Sequence, residues 1–271
     1  MSSQTLPYPR RLSPSSVAKY EQCPLAYRFS AIDRLPWKSS EPAVLGTFVH
    51  SVLEAFLSDS GSHDVDKLRA AATTVFTKLP GDRDWKNLAL TVEQQSAFKH
   101  RAWELLENYL KIEDPDTVHA ESHEMWVEAV IDGDIPVGGR IDRLDLNDDK
   151  RAVIDYKTGK VPNPRFVDGE FKAMRIYAAL LDAQNLRPDE LRLEFLAGPI
   201  CHTAPVDQQV IDDTIARVRG VWDAVRADCE SGEFDPTPNA LCDWCDAKPY
   251  CPAKGGDFNA GLEIAATNRR R

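Results

Sequence analysis

The sequence predicts an α/β fold: a central mixed sheet with helices on both sides. Three observations carry this. Residues 44–58 place apolar side chains at helical spacing, residues 125–156 read as three strands joined by Asp-, Asn- and Gly-rich turns, and the stretch after them runs helix, strand, helix. A chain of 271 residues that is 42% apolar and 28% charged is neither disordered nor collagen-like, and it is long enough for a sizeable core.

Residues 1–11 read as a loose leader without the apolar core of a secretory signal. Ser13 is then placed to cap a helix with Pro14 at its first position; this helix carries Val17, Tyr20 and Gln22 and ends near Cys23-Pro24. From Val44, the residues Leu45, Phe48, Val49, Val52, Leu53, Phe56 and Leu57 recur at i, i+3, i+4, i+7 and onward, the stripe of an amphipathic helix. Residues 64–79 and 91–112 read as two further helices, split by the breaker Pro80-Gly81-Asp82. Met125–Ile131, Ile135–Leu146 and Ala152–Tyr156 form an antiparallel meander through turns at 132–134 and 147–149. Beyond a loop with Gly159 and two prolines come a helix over 168–185, a strand over 191–197 and a long helix over 207–230. The segment 233–256, rich in Pro, Cys, Asp and Gly, reads as a loop held by a ligand, and Arg269-Arg270-Arg271 as a frayed tail.

The net charge of −10 excludes nucleic-acid binding by global charge, so any such contact needs a local basic patch or bound cations. Between Arg140 and Arg175 nine basic residues face seven acidic ones, a local excess of the right sign for phosphate. No apolar run reaches the 18 or more residues of a membrane helix, and six cysteines are too few for a disulfide scaffold, so a cytoplasmic chain is expected.

The meander carries Asp142 in Gly139-Arg140-Ile141-Asp142-Arg143 and Asp155 in Val153-Ile154-Asp155-Tyr156-Lys157. Residues i and i+2 of a strand share a face, so Asp155 and Lys157 point the same way. Pairing across the 147–149 turn brings Asp142 to the same place. Two carboxylates beside an ammonium suit Mg²⁺ or Mn²⁺ held against a phosphodiester, because hard cations take oxygen ligands and activate a bound water. Spacing alone favours a surface hairpin of solvated charges over this site. On the 44–58 helix, His50 and Glu54 lie at i and i+4. His50 is a third potential ligand and Glu54 a partner for its ring or for a water; a plain surface His–Glu pair fits the same spacing.

Cys242-x2-Cys245-x5-Cys251 closes the Pro/Gly-rich segment, and Cys23 is the best fourth ligand. Four thiolates hold either zinc or an iron–sulfur cluster, and spacing does not decide between them. Cys201 and Cys229, at a strand end and on a helix, read as structural thiols. A site joining Cys23 to the last 30 residues would clip the chain ends together and stabilise the fold by a few kcal/mol.

In these motifs the chain resembles the RecB-like branch of the PD-(D/E)XK nucleases in its iron–sulfur form, which includes the nuclease domain of AddB and stand-alone CRISPR-associated exonucleases. The match runs from Leu12 to Cys251: an opening segment through Cys23-Pro24, a G-T-x-x-H-x-x-L-E helix over Gly46–Glu54, G-x-x-D-R at Gly139–Arg143, D-Y-K-T-G at Asp155–Gly159 and the C-x2-C-x5-C ending. The resemblance implies a restriction-endonuclease-like core with a helical insertion at about 60–115 in a single nuclease domain. It implies metal binding by His50, Asp142, Asp155 and the carbonyl of Tyr156, catalysis by Lys157 with Tyr177 as a helper, and a [4Fe-4S] cluster on Cys23, Cys242, Cys245 and Cys251. The implied activity is Mg²⁺- or Mn²⁺-dependent hydrolysis of DNA, as an exonuclease on single strands or duplex ends, in recombination, repair or CRISPR-type processing. A helicase or integrase is the implied kind of protein partner. One position departs from the pattern: the family's Q-x3-Y reads Ala173-x3-Tyr177 here, which puts DNA positioning in doubt, with Lys172 and Arg175 as substitute phosphate contacts. A non-catalytic DNA-binding or partner-docking module with a degraded site is the competing reading.

Overall fold

The computed structural model describes residues 5–59 and 61–268. Ser13 accepts the Ser16 N–H and Ser16 answers at the Ser13 N–H, so α1 (Pro14–Gln22) opens on a reciprocal cap. A short α2 (Pro24–Tyr27) follows, and its last turn widens into a π-turn over Arg28–Ile32. The expected helix at 44–58 is α3 (Glu41–Leu57). It starts three residues early because Ser40 caps the Ala43 N–H and Pro42 fits the first turn. Then come α4 (Val65–Lys78), α5 (Arg83–Leu88) and α6 (Val92–Ile112). The sequence reading missed α5: Asp82, taken as part of a breaker, accepts the Trp85 N–H at 2.8 Å and starts a new helix.

The sheet consists of β1 (Ala120–Ile131), β2 (Ile135–Asn147), β3 (Lys150–Lys157), β4 (Glu190–Phe195) and β5 (Ile200–Pro205), in that spatial order. β2/β3 and β4/β5 pair antiparallel and β3/β4 parallel, which makes the sheet mixed as expected. Asp148 and Asp149 both take positive φ, the conformation of a two-residue hairpin, and this sets Asn147 opposite Lys150. The parallel β3–β4 connection runs through α7 (Val167–Asp182), while α8 (Gln208–Ser231) and α9 (Phe258–Asn268) complete the chain. β1 begins five residues before its expected start. β5 and α9 were not anticipated: β5 alternates between exposed and half-buried residues and buries no apolar side chain fully, and α9 is announced only by Asp257, which accepts the Asn259 and Ala260 N–H groups. The leader is not loose where it is described: the Leu6 N–H donates to the Cys229 carbonyl at 2.8 Å, and Leu12 bridges to Val137. The 269–271 tail lies outside the described residues.

Two compact units interleave along the chain. One comprises the chain up to Lys38, Glu128–Gly139 and Gln209 onward. In it Val17, Leu25 and Phe29 are buried, as are Val218, Trp222 and Val225 of α8. The other comprises Ser39–Val127 and Arg140–Gln208 and contains all of β3, β4 and β5. Its core joins the α3 stripe to Phe98, Leu105, Leu106 and Tyr109 of α6 and to Ala152, Ile154 and Tyr156 of β3. Edge-to-face rings at Phe48–Phe98 (5.8 Å) and Trp85–Phe98 (4.9 Å) fill it. With Ala152, Ile154 and Tyr156 committed to that core, strand alternation turns Asp155 and Lys157 to the opposite face.

Candidate functional site

The candidate centre lies within the second unit, at the end of β2 and β3. Arg143 pairs with Ile154, so Asp142 and Asp155 are the next residues along the two strands. There the Tyr156 N–H donates to Asp142 Oδ2 at 2.9 Å. Across from it, α3 presents His50, whose Nε2 donates to the Tyr156 carbonyl at 2.9 Å while Nδ1 lies 3.5 Å from Asp142 Oδ2. Tyr156 thus holds one ligand candidate with its N–H and orients another with its C=O. Glu54, one turn on, makes no side-chain hydrogen bond to His50 among the described residues. It lines a groove with Thr47, Ser51 and Lys78 instead.

Sequence reasoning missed Glu124. Its Oε1 lies 4.0 Å from His50 Nδ1 and its Oε2 3.7 Å from Arg140 Nη1. His50, Glu124 and Asp142 each offer a ligand atom within 4.8 Å of the others. Glu124 stands at φ 46°, a left-handed residue inside β1, so the strand kinks where the carboxylate enters the centre. No motif announced it, because β1 also carries Glu121 and Glu128 and nothing in their spacing separates the three.

Asp155 faces Lys157, with Oδ2 2.7 Å from Nζ. That oxygen is buried, and the Lys157 ammonium is the donor it faces. Burial raises the Asp155 pKa; Lys157 opposes the shift and Asp142 adds to it. Burial would lower the Lys157 pKa, but Asp155 and Asp142 outweigh it and the ammonium is held charged. At His50 burial is again opposed, by the hydrogen bond and charge of Asp142 and the charge of Asp155, and the net direction is up. Glu124 is raised by burial and then by Asp142. Asp155 and Glu124 are thus penalised first by burial and then by the charge of Asp142. Oxygen-rich, with one imidazole, this donor set fits a hard divalent cation.

Tyr177 of α7 joins the group. Burial, then the charges of Asp155 and Asp142, push its pKa up to about 12, so the phenol keeps its proton as a donor. Ala173 lies one turn back, half-buried. Arg175 is engaged with Asp168 and Lys172 is exposed, so the ion pair with Asp168 competes with the phosphate role expected of Arg175.

Behind the centre, Arg143 is fully buried. It donates to Glu113 and Asp145 and, at 2.7 Å, to the Tyr156 hydroxyl; Glu194 lies 3.8 Å away. Burial, reinforced by Glu113 and opposed by Arg143, pushes the Glu194 carboxyl up to about 8. A carboxyl whose folded pKa exceeds the unfolded value of about 4.3 contributes stability below that value and loses it as pH rises through the folded one. The melting temperature is therefore expected to fall between about pH 5 and 8, and Glu194→Gln should flatten that fall. Thermal melts of both proteins across this range check it, and parallel slopes would contradict it.

The four motif cysteines lie in the other unit and line one pocket together, whereas Cys229 is buried away from them and Cys201 is exposed. The Thr237 N–H donates to Cys23 Sγ at 3.4 Å and the Asn239 N–H to Cys242 Sγ at 3.2 Å. Burial and the other three thiols raise the Cys245 pKa. The loop is wound into single turns at 242–244, 248–250 and 252–254. A Cβ on Gly256 would lie 2.5 Å from the Lys248 carbonyl oxygen, so glycine is required there. Among the described residues no three of these sulfurs lie within 4.8 Å of one another.

No helix among the described residues is long and apolar enough to cross a membrane. No curated protein matches the chain. Among solved structures, a protein of Eubacterium rectale described as a "putative exonuclease" superposes with a TM-score of 0.56 at 11% identity, over 87% of this chain and 86% of that one. This likeness is one of fold. The structure of SSO0001 gives a TM-score of 0.38 at 20% identity, covering 78% of this chain and 97% of that one. The sequence pattern of the PD-(D/E)XK nuclease superfamily matches residues 11–252, a span that takes in all five strands and every residue of the centre just described. The chain belongs to the PD-(D/E)XK nuclease superfamily.

Proposed function

We propose that the chain is a Mg²⁺- or Mn²⁺-dependent deoxyribonuclease of the RecB-like, iron–sulfur type, removing nucleotides from single-stranded DNA or frayed duplex ends. The observation that carries this reading is the convergence of His50, Asp142 and Glu124 beside the Asp155–Lys157 pair at one end of β2 and β3. His50, Glu124, Asp142, Asp155 and the Tyr156 carbonyl would hold the cation. When bound, a divalent cation polarises a phosphoryl oxygen and acidifies a water. Lys157, kept charged by Asp155, orients the attacking water and faces the charge that develops on the phosphate. Tyr177 donates its phenolic proton in a hydrogen bond to a phosphate oxygen. Tyr156 N–H and C=O keep Asp142 and His50 in register.

The whole chain is read as one nuclease domain, with the helices between about 60 and 115 as its insertion. Its site would serve recombination, repair or CRISPR-type processing, with a helicase or integrase supplied by another chain. End-labelled single- and double-stranded DNA incubated with and without Mn²⁺ tests the activity: shortening of the single strand only with metal is expected. Absence of cleavage together with retained DNA binding would favour the non-catalytic module that Ala173 raises. Glu124→Gln should weaken Mn²⁺ binding about tenfold or more, read by titration calorimetry; unchanged affinity would remove Glu124 from the ligand set.

For the cysteines, the gathering of Cys23, Cys242, Cys245 and Cys251 around one pocket supports a thiolate-held cofactor, which we read as a [4Fe-4S] cluster with zinc as the alternative. The N–H groups aimed at Cys23 and Cys242 stabilise thiolates in either case. Protein purified without oxygen should contain iron and acid-labile sulfide; zinc with no iron would reject the cluster.

A further inference from the structure

Trp244 sits between Cys242 and Cys245 with 80% of its surface exposed, the most of any large apolar residue described. Among the described residues its ring makes no aromatic or cation–π contact. With Trp37 and Tyr250 it lines a cavity of about 670 Å³ that also holds Lys38, Lys248 and Lys254. All of these belong to one unit. Lys19 Nζ lies 5.7 Å from the centre of the Trp37 ring. Three aspartates share the wall: Asp243, Asp246 and Asp257. Asp243 is paired with Lys248 at 3.0 Å, and Asp257 caps the first N–H groups of α9. Lys38 is exposed, and its side chain has no ion pair or hydrogen bond among the described residues. Two of the three acids are thus engaged, and Lys38 stands beside the exposed Trp244 and the half-buried Trp37 and Tyr250.

We infer that this surface is a platform for single-stranded DNA, on which bases stack against Trp37 and Trp244 while the lysines meet the phosphates. The inference rests on the nuclease reading and adds a second contact for its substrate. Aromatic faces interleaved with lysines are how proteins hold single strands without reading sequence, because every base has a π-face and every nucleotide a charge. The centres of protein-docking patches, by contrast, are depleted of lysine. A blunt duplex keeps its bases stacked on one another and offers these rings only its end pairs. The cavity falls in the roughly 300–1,000 Å³ range of small-ligand sites, enough for a base and its neighbours.

The test is fluorescence anisotropy of labelled oligothymidylate and of a blunt duplex, using chain purified without oxygen, carrying Lys157→Ala so that nothing is cut. Trp37→Ala and Trp244→Ala should each weaken oligothymidylate binding about tenfold, and Trp244→Phe should stay close to the parent. Lys38→Ala should reduce the slope of log affinity against log salt by about 0.7. Duplex binding should move less than about twofold. If Trp244→Ala disturbs the cysteine site, seen as altered metal content, Trp37→Ala and Lys38→Ala decide the matter. Unchanged oligothymidylate affinity in these variants overturns the platform, as does an equal loss on the duplex. A change of oligomeric state in the alanine variants overturns it too, in favour of a contact between copies. Cleavage by the Lys157-containing chain is measured alongside. Cleavage with unaffected variant binding defeats the platform alone, whereas a parent that neither binds nor cuts defeats the nuclease reading with it.

Discussion

Lys157→Ala and Asp142→Asn should each lower DNA cleavage by about 10³-fold, through different losses. Asn at position 142 keeps an oxygen for the Tyr156 N–H, so the backbone contact at 2.9 Å survives and only the charge goes. Its expected signature is weakened Mn²⁺ binding, with activity partly recovered at high metal. Lys157→Ala leaves the oxygen ligands in place but removes the cation 2.7 Å from Asp155. Mn²⁺ binding should be retained while turnover falls even at saturating metal, because a positioned charge facing the transition state is typically worth at least about 10²-fold. Asp155 then loses the partner that opposes its burial, so its pKa rises further, and raising the pH should restore more of its charge than in the parent. Calorimetric Mn²⁺ titration and initial rates on labelled single-stranded DNA separate the two effects. If both variants degrade DNA as the parent does, the catalytic assignment of the centre is wrong.

Which parts of the centre the sequence disclosed follows from periodicity. The α3 stripe is regular enough to place His50 on the helix, and the two-residue repeat of β3 is enough to put Asp155 and Lys157 on one face. The turn at Asp148-Asp149 then brings Asp142 alongside Asp155 without any help from tertiary packing. Glu124 was invisible for the converse reason. Its left-handed backbone breaks the alternation by which strands are recognised, and the same break explains why β1 read five residues short. Arg143 was hidden by its chemistry: an arginine in a strand reads as solvated, and only three-dimensional packing reveals Glu113, Asp145 and Glu194 around it. The link from Cys23 to a trio more than 200 residues away was legible only as a count of ligands, three clustered thiols needing a fourth, since local sequence carries no information about so long a closure; the [4Fe-4S] identity is what the resemblance implies.

Arg143→Ala should destabilise the chain by about 3–5 kcal/mol, because one deletion strands several buried acids. At about 2–4 °C per kcal/mol for a chain of this size, the melting temperature should drop by about 10 °C. The loss carries a pH signature that distinguishes it from a simple cavity. Without the guanidinium, the folded-state pKa values of Asp145 and Glu194, already raised by burial, move further above their unfolded values. Acids shifted in that direction contribute stability at low pH and lose it as pH rises, so the penalty should be smallest near pH 5 and grow toward pH 8. A cavity alone would cost the same at both. Neutralising the ring with Asp145→Asn and Glu194→Gln in the Arg143→Ala background should recover part of the loss, since the stranded charges, and not the missing volume, cause most of it. The consequence reaches the centre through one residue. Arg143 Nη1 donates to the Tyr156 hydroxyl at 2.7 Å, and the same Tyr156 holds Asp142 by its N–H and His50 by its C=O. Tyr156→Phe breaks only that bridge and leaves Arg143 its carboxylates. It should therefore weaken Mn²⁺ binding several-fold while lowering the melting temperature far less than Arg143→Ala. If Tyr156→Phe binds Mn²⁺ as the parent does, Arg143 stabilises the core and has no part in aligning the ligands.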